Sequence, residues 1–353
     1  MSKTAIIYSP KYFDHNPGQG HPESPKRLRV ILDELNRSGL LEKGNCILVK
    51  PKSAKTKELE PVHESDHIQL VKEVSERGGG LLDLGDTVVG PRSFKVALLA
   101  VGGTLRAVNL VMARKFHNAF ALVRPPGHHA GRYYAMGFCL FNNVAIAASH
   151  LIEDFNINRV LILDVDSHHG NGTQEIFYET KKVLYISLHH DPRGFPGTGF
   201  VDEIGKGKGL GFNVNIPFPF RVDDQIYLKA VDQIVIPIVS QFRPQFILVS
   251  AGFDGHHTDP VGGLSLSASG YLKTFRRILK LASECCEGKL VAVLEGGYNL
   301  NFLGGIVTAV VAEMAGATYS IHDKSPVASS STRKQAENLI RTVRNTQSAF
   351  WNL

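Results

Sequence analysis

Cysteine is scarce in this chain and carries no pattern. The four residues, Cys46, Cys139, Cys285 and Cys286, form neither a C-x-x-C pair nor a framework of bridges, which argues against a disulfide-stapled secreted fold. The opening "MSKTAIIYSPKYF" also lacks the apolar core of a secretory leader, so the sequence predicts a reducing, cytoplasmic compartment. A charge-free apolar run of about 18 residues is missing too. The nearest approach, "VALLAVGGTLRAVNLVMA", contains Arg106 and two glycines, and no membrane span is expected. One-sided charge is absent despite a formal net charge of +6, because 39 basic residues are scattered among 33 acidic ones. With no aromatic-rich basic stripe, direct nucleic-acid binding is not expected.

What the chain has in quantity is buried-strand material. At 353 residues and 43% hydrophobic content it can build a sizeable core. Apolar runs at "TAIIYS", "AFALVR", "RVLILDV" (159–165), "VLYISLH" (183–189), "QFILVSAG" (245–252) and "KLVAVLEGG" (289–297) read as parallel strands. Helical periodicity over 94–115, 142–152, 224–242, 267–286 and 302–315 alternates with them, which predicts a single-domain α/β sandwich with helices on both faces. No repeat or linker interrupts it before about residue 319. The expected division is therefore a catalytic domain at 1–318 and a C-terminal linker with a helix at 319–353. The lysine–glycine stretch "GKGKGLG" (205–211) lacks the spacing of a phosphate loop and reads as a mobile hairpin connection.

Ligands of open parallel sheets bind beyond the carboxyl ends of the strands. The His, Asp and Gly enrichment falls there: "RPPGHHA", "DVDSHHGNG", "SLHHDPRGFPGTG", "SAGFDGHHTDP" and "LEGGYN" each follow a strand. A lone Asp at a strand end is usually a helix cap and a lone His a satisfied core residue; five such loops together point to a site. On an extended backbone Asp164, Asp166 and His168 share one side. Asp166 and His168, with Asp254 after another strand, supply two carboxylates and an imidazole for one divalent ion. Three protein ligands with a position left for water is the catalytic arrangement of zinc, with Fe2+ second and Co2+ and Mn2+ also compatible. His128 and His129 suit acid/base work near neutral pH, with Asp164 and Asn171 as candidate acceptors for their second ring nitrogens. Tyr298 offers a phenol to an oxyanion opposite the metal.

These segments, with "HPESPKR" and "MGFCLFNNVAIAA", span residues 21 to 300 and resemble the histone deacetylase and acetylpolyamine amidohydrolase superfamily, in its class II-like and prokaryotic branches. The resemblance implies a mainly parallel sheet of about eight strands between helices, the fold shared with arginase, and hydrolysis of an acetyl-amide bond. It implies zinc on Asp166, His168 and Asp254, active-site histidines at 128 and 129, and an oxyanion tyrosine at 298. It further implies an acyl-lysine tunnel walled by Phe138 and Phe195, with the Gly137 carbonyl facing the substrate and Val261 at the rim. A structural potassium ion would sit on Asp164, Ser187 and the main-chain oxygens of Asp166, His168 and Leu188, and a second near Phe177, Thr180 and Val183. Ser167 stands where many relatives carry an aromatic or aliphatic residue. Asn171 agrees with class II and orients His129 through a neutral amide.

The expected substrate is an acetylated lysine in a protein or peptide; an acetylated polyamine or other small amine is the alternative. Relatives specialised for polyamines place a glutamate where Val261 stands, although Glu23, Asp86 or Asp259 could supply a rim charge instead. A binuclear manganese ureohydrolase is less expected, since Gly255 and His256 fall where another carboxylate would be wanted. An inactive acyl-lysine binding protein is opposed by the presence of every ligand and of Tyr298. The sequence leaves homo-oligomer formation open.

Overall fold

A computed structural model describes residues 3–83 and 85–353 of the chain. The main sheet has eight strands: β1 (Thr4–Ile7), β2 (Cys46–Val49), β5 (Asn118–Ala121), β6 (Val160–Asp164), β7 (Val183–His190), β8 (Asn213–Phe218), β9 (Phe246–Ala251) and β10 (Leu290–Leu294). Their order is β2-β1-β5-β10-β9-β6-β7-β8, and every pair is parallel. β3 (Gly80–Leu81) and β4 (Val88–Val89) form a separate antiparallel ribbon. The four central strands β5, β6, β9 and β10 are buried at every residue, as near-continuous apolar runs covered on both faces should be.

Two sets of helices provide the cover. α3 (Ser93–Met112), α4 (Asn143–Asp154) and the short α5 (Asn171–Phe177) pack in sequence along one set. α1 (Lys26–Arg37), α9 (Leu300–Met314), α8 (Ala268–Cys286), α6 (Asp224–Ala230) and α7 (Ile236–Phe242) pack along the other, and α2 (Ser65–Glu76) leans on α3. The architecture is the expected three-layer α/β sandwich. Among the described residues α3 is the one helix long and apolar enough to cross a membrane, and most of it is buried against β1, β5 and α4.

Two expectations change. The single helix read over 224–242 is α6 and α7 joined by a π-helical turn at Val231–Val235. Pro237 has no N–H to donate to the preceding turn, so the hydrogen-bond register shifts there. The 205–211 stretch is not a hairpin, because β7 and β8, which it helps to connect, run parallel; it contains a 3-10 turn at Gly207–Gly209.

The C-terminal residues lie against this body. After an irregular stretch, α10 (Ser330–Gln347) packs on β8 and α6, and the Trp351 indole N–H donates to the Gly211 carbonyl at 2.9 Å.

Candidate active site

Sheet register builds the site. Asp164 at the end of β6 pairs with Ser187 on β7 and Ser250 on β9, so the loops after these strands emerge at one level beside the loop after β10. The strand ends at Asp164, and the next residues turn out of the sheet. The three polar groups read as sharing one face therefore divide between two jobs. Asp164 Oδ2 faces His128 Nδ1 (3.0 Å) and accepts from the Tyr185 hydroxyl (3.1 Å), while Asp166 and His168 turn toward Asp254. His169 points elsewhere, to Gln174 Oε1 and Thr198 Oγ1.

The donor atoms of Asp166, His168 and Asp254 lie within 4.8 Å of one another. Backbone amides aim the carboxylates: Gly296 N donates to Asp166 Oδ2 (2.8 Å), His168 N to Asp166 Oδ1 (2.9 Å) and Ser167 N to Asp254 Oδ1 (2.8 Å). His168 Nδ1 lies 2.8 Å from Asp254 Oδ2 and 3.3 Å from Asp166 Oδ1. The shorter approach has the wrong direction for a hydrogen bond, and among the described residues Asp254 Oδ2 stays buried without a hydrogen-bond donor. An orphaned buried carboxylate oxygen is costly. Burial and the Asp166 charge raise the Asp254 pKa, and although burial opposes it, the two carboxylates push His168 up to about 10. The group thus calls for a cation, and its oxygen and nitrogen donors fit one. No third carboxylate joins it among the described residues; His256 Nε2 instead meets Asp323 Oδ2 at 2.9 Å.

The rings of His128 and His129 lie against each other, tilted by 44° with 3.9 Å between their centres. Glu295, whose role the sequence reading missed, fixes their loop by accepting from Gly127 N (2.7 Å) and His128 N (3.2 Å). His129 Nδ1 lies 2.7 Å from Asn171 Oδ1, and the Asn171 amide nitrogen lies 3.1 Å from the Tyr134 hydroxyl and 3.6 Å from the Met136 sulfur, an acceptor only, which favours the carboxamide oxygen toward the ring. Before any cation's charge is counted, burial would lower both histidines. Asp164 and Asp166 overcome it at His128 and push that group to about 10, whereas burial and the neighbouring His128 hold His129 well below its usual value.

The aromatic residues frame an approach. Phe195 stands edge-on to His129 at 4.9 Å and to His168 at 5.8 Å, and Phe138 edge-on to Tyr298 at 5.8 Å. A Cβ at Gly137 (φ +55°) would lie 2.5 Å from the His129 ring, so only glycine fits there. The Gly137 carbonyl takes the Cys139 thiol at 3.4 Å. The Tyr298 phenol stays protonated because burial raises its pKa well above normal, Asp166 and Asp254 adding to this against Arg27.

Ser187 Oγ sits 2.8 Å from His189 Nδ1. Phe177, Thr180 and Val183 lie beyond α5, where the Phe177 carbonyl accepts Thr180 N and the Thr180 hydroxyl accepts Lys182 N, both at 3.2 Å.

Two of the acidic residues read as rim charges are not free ones. Glu23 is wholly buried and accepts from Arg124 Nε (2.5 Å), Arg124 Nη2 (2.6 Å) and Arg27 Nη1 (3.1 Å). Asp259 is occupied by backbone amides, whereas Asp86 is exposed.

A parallel α/β sandwich with three donors able to hold a metal ion beside a histidine pair fits a hydrolase of the arginase and deacetylase architecture. Residues 21–314 match the histone deacetylase domain, and the chain belongs to that family. It is 42% identical to a probable deacetylase of Archaeoglobus fulgidus over 89% of this chain and 86% of that protein. It is 36% identical to a histone deacetylase-like amidohydrolase of Pseudomonas aeruginosa over 86% and 79% of the two chains. It is 38% identical to histone deacetylase 15 of Arabidopsis thaliana over 99% of this chain but only 63% of that one. The crystal structure of the HDA15 HD domain superposes with a TM-score of 0.89 at 37% identity, covering 99% of this chain and 95% of that chain. The protein is accordingly a hydrolase of amide bonds.

Proposed function

We propose that the chain is a zinc-dependent deacetylase acting on acetylated, or short-acylated, lysine side chains of proteins or peptides. The observation that carries this reading is the unequal pair of histidines beside the Asp166, His168 and Asp254 group. Zinc on those three residues, or Fe2+ as the second choice, would polarise the amide carbonyl and acidify a water molecule. His129 donates its Nδ1–H to a neutral amide, which leaves Nε2 as a free base able to take a proton from the attacking water and return it to the departing amine. His128, whose Nδ1 faces the Asp164 carboxylate, is the one of the pair whose cationic form the protein stabilises, and would serve to tune the charge of the site. The Tyr298 phenol donates to the oxyanion that develops on the carbonyl. Phe138 and Phe195 would shield the apolar lysine stem.

A structural potassium ion at Asp164 and Ser187 is supported by the main-chain oxygens of Asp166 and His168, which accept no hydrogen bond among the described residues. The second cation site, near Phe177, Thr180 and Val183, rests on family resemblance alone.

Preference for lysine over a polyamine rests on the rim. Val261 carries no charge, Glu23 is consumed by two arginines and Asp259 by three amides, which leaves Asp86 alone of the candidate carboxylates to greet a second ammonium. Acetate release from acetyl-lysine peptides, short-acyl variants and N-acetylated spermidine and putrescine, with metal analysis of the same preparation, tests the reading. A higher kcat/KM for the peptides is expected, and Val261→Glu should move the ratio toward the polyamines. A clear polyamine preference in the wild type overturns it.

A further inference from the structure

Building on the assignment of Tyr298 as oxyanion donor, we propose that Asp259 is the positioning residue that holds Tyr298 in its working conformation. Asp259 lies five residues beyond Asp254, in the loop that leaves β9. Among the described residues its carboxylate makes no ion pair; it accepts from Val261 N at 3.0 Å through Oδ1, and from Tyr298 N at 2.6 Å and Asn299 N at 2.9 Å through Oδ2. Asn299 returns the contact, its side-chain amide donating to the Thr258 carbonyl (2.9 Å) and hydroxyl (2.7 Å).

Across the same peptide, the Gly297 carbonyl accepts from Arg27 Nε at 2.6 Å. The Gly297–Tyr298 peptide unit is thus gripped at both polar ends, the oxygen by Arg27 and the N–H by Asp259. The orientation of that plane sets the direction in which Tyr298 projects its ring. A grip is needed because the preceding residue is a glycine at φ +117°, a conformation from which the backbone has wide freedom to swing. The ring itself touches Phe138 edge-on and Arg27 at 4.9 Å, contacts too weak to fix a backbone. A carboxylate suits the task because both of its oxygens must accept. An asparagine would turn an N–H donor toward either Val261 N or the Tyr298 and Asn299 amides.

The alternative is that Asp259 merely caps the start of α9, in which case its loss would lower stability without reference to Tyr298. A double-mutant cycle separates the two. Wild type, Asp259→Asn, Tyr298→Phe and the double variant would be compared for kcat and KM on an acetyl-lysine peptide, together with metal content and Tm. Asp259→Asn is expected to lower kcat by about 10-fold or more with KM changed less than about twofold and metal retained; in the Tyr298→Phe background the same change should cost less than about twofold. Equal losses in both backgrounds, a pure KM effect, or loss of metal overturns the proposal. If Asp259→Asn does not fold, Asp259→Ser takes its place in the cycle, since it introduces no opposed NH2 group. Failure of the underlying reading shows separately, as a Tyr298→Phe enzyme with wild-type kcat, and removes this proposal with it.

Discussion

His128 and His129 are identical side chains made unlike by the atoms behind them. One ring nitrogen meets a carboxylate and the other a carboxamide, and the difference is enough to favour imidazolium at 128 and neutral imidazole at 129. His129→Ala is therefore expected to lose about 10²–10⁴-fold in kcat, the usual contribution of a positioned acid/base, and His128→Ala less. Steady-state rates on one acetyl-lysine peptide decide it, and the reverse ranking would exchange the roles. Tyr298→Phe should cost roughly 2.7–4 kcal/mol of transition-state stabilisation, seen in kcat rather than in KM; a change confined to KM would make the tyrosine a binding group only.

Among elements, the ones that matter most are loops at the ends of buried strands. Asp166 and His168 leave β6 while Asp254 leaves β9, its neighbour in the sheet, so strand pairing alone brings residues 86 positions or more apart into one donor group. Asp166→Ala or Asp254→Ala should abolish metal retention together with activity. Elemental analysis of the wild type should give one transition-metal ion per chain, and two tightly held manganese ions would contradict that count. The central strands were legible because a run such as "VLIL", ahead of Asp164, is apolar throughout. The edges were not: β2 leaves the consecutive Ile47 and Leu48 exposed, and β8, "NVNIPF", mixes two asparagines and a proline into its pattern. Asp259 could be seen as an acidic residue near the site, yet nothing local says that its carboxylate meets amides 39 and 40 residues away. Glu295 was hidden likewise, because its partners Gly127 and His128 are joined to it only by the pairing of β10 with β5.

For the molecule as a whole, the buried Glu23 acts as a keystone, joining the loop before α1 to Arg124 after β5 and to Arg27. Burial alone would raise its pKa, but the Arg124 guanidinium and the His15 and Arg124 hydrogen bonds hold it well below the ordinary 4.5. A carboxylate with a depressed folded pKa contributes stability above its unfolded value and loses that contribution as pH falls toward the folded one. The wild type should accordingly lose Tm as pH is lowered beneath about 4.5. Glu23→Gln should already be less stable at neutral pH by about 3–5 kcal/mol, the cost of breaking a buried pair, and its Tm should depend less on pH in the acid range. Parallel thermal melts of the two proteins from neutral to acid pH would show whether the curves converge; parallel curves would mean that Glu23 is not the group being titrated.

Asp323 lies outside the expected catalytic domain, yet its carboxylate meets His256 Nε2 and His257 Nε2, each at 2.9 Å, and caps α8 by accepting from Ala268 N at 2.7 Å. The loop that presents Asp254 and Asp259 is therefore braced from behind by a residue 67 positions beyond His256 and 66 beyond His257. Anyone trimming the gene at residue 318 to obtain a minimal catalytic core would cut away that brace along with α10. The shortened protein should melt at a lower temperature than the full chain. Asp323→Asn in the otherwise intact chain should reproduce part of that loss, so a melting point unchanged by either alteration would show the C-terminal segment to be dispensable ballast.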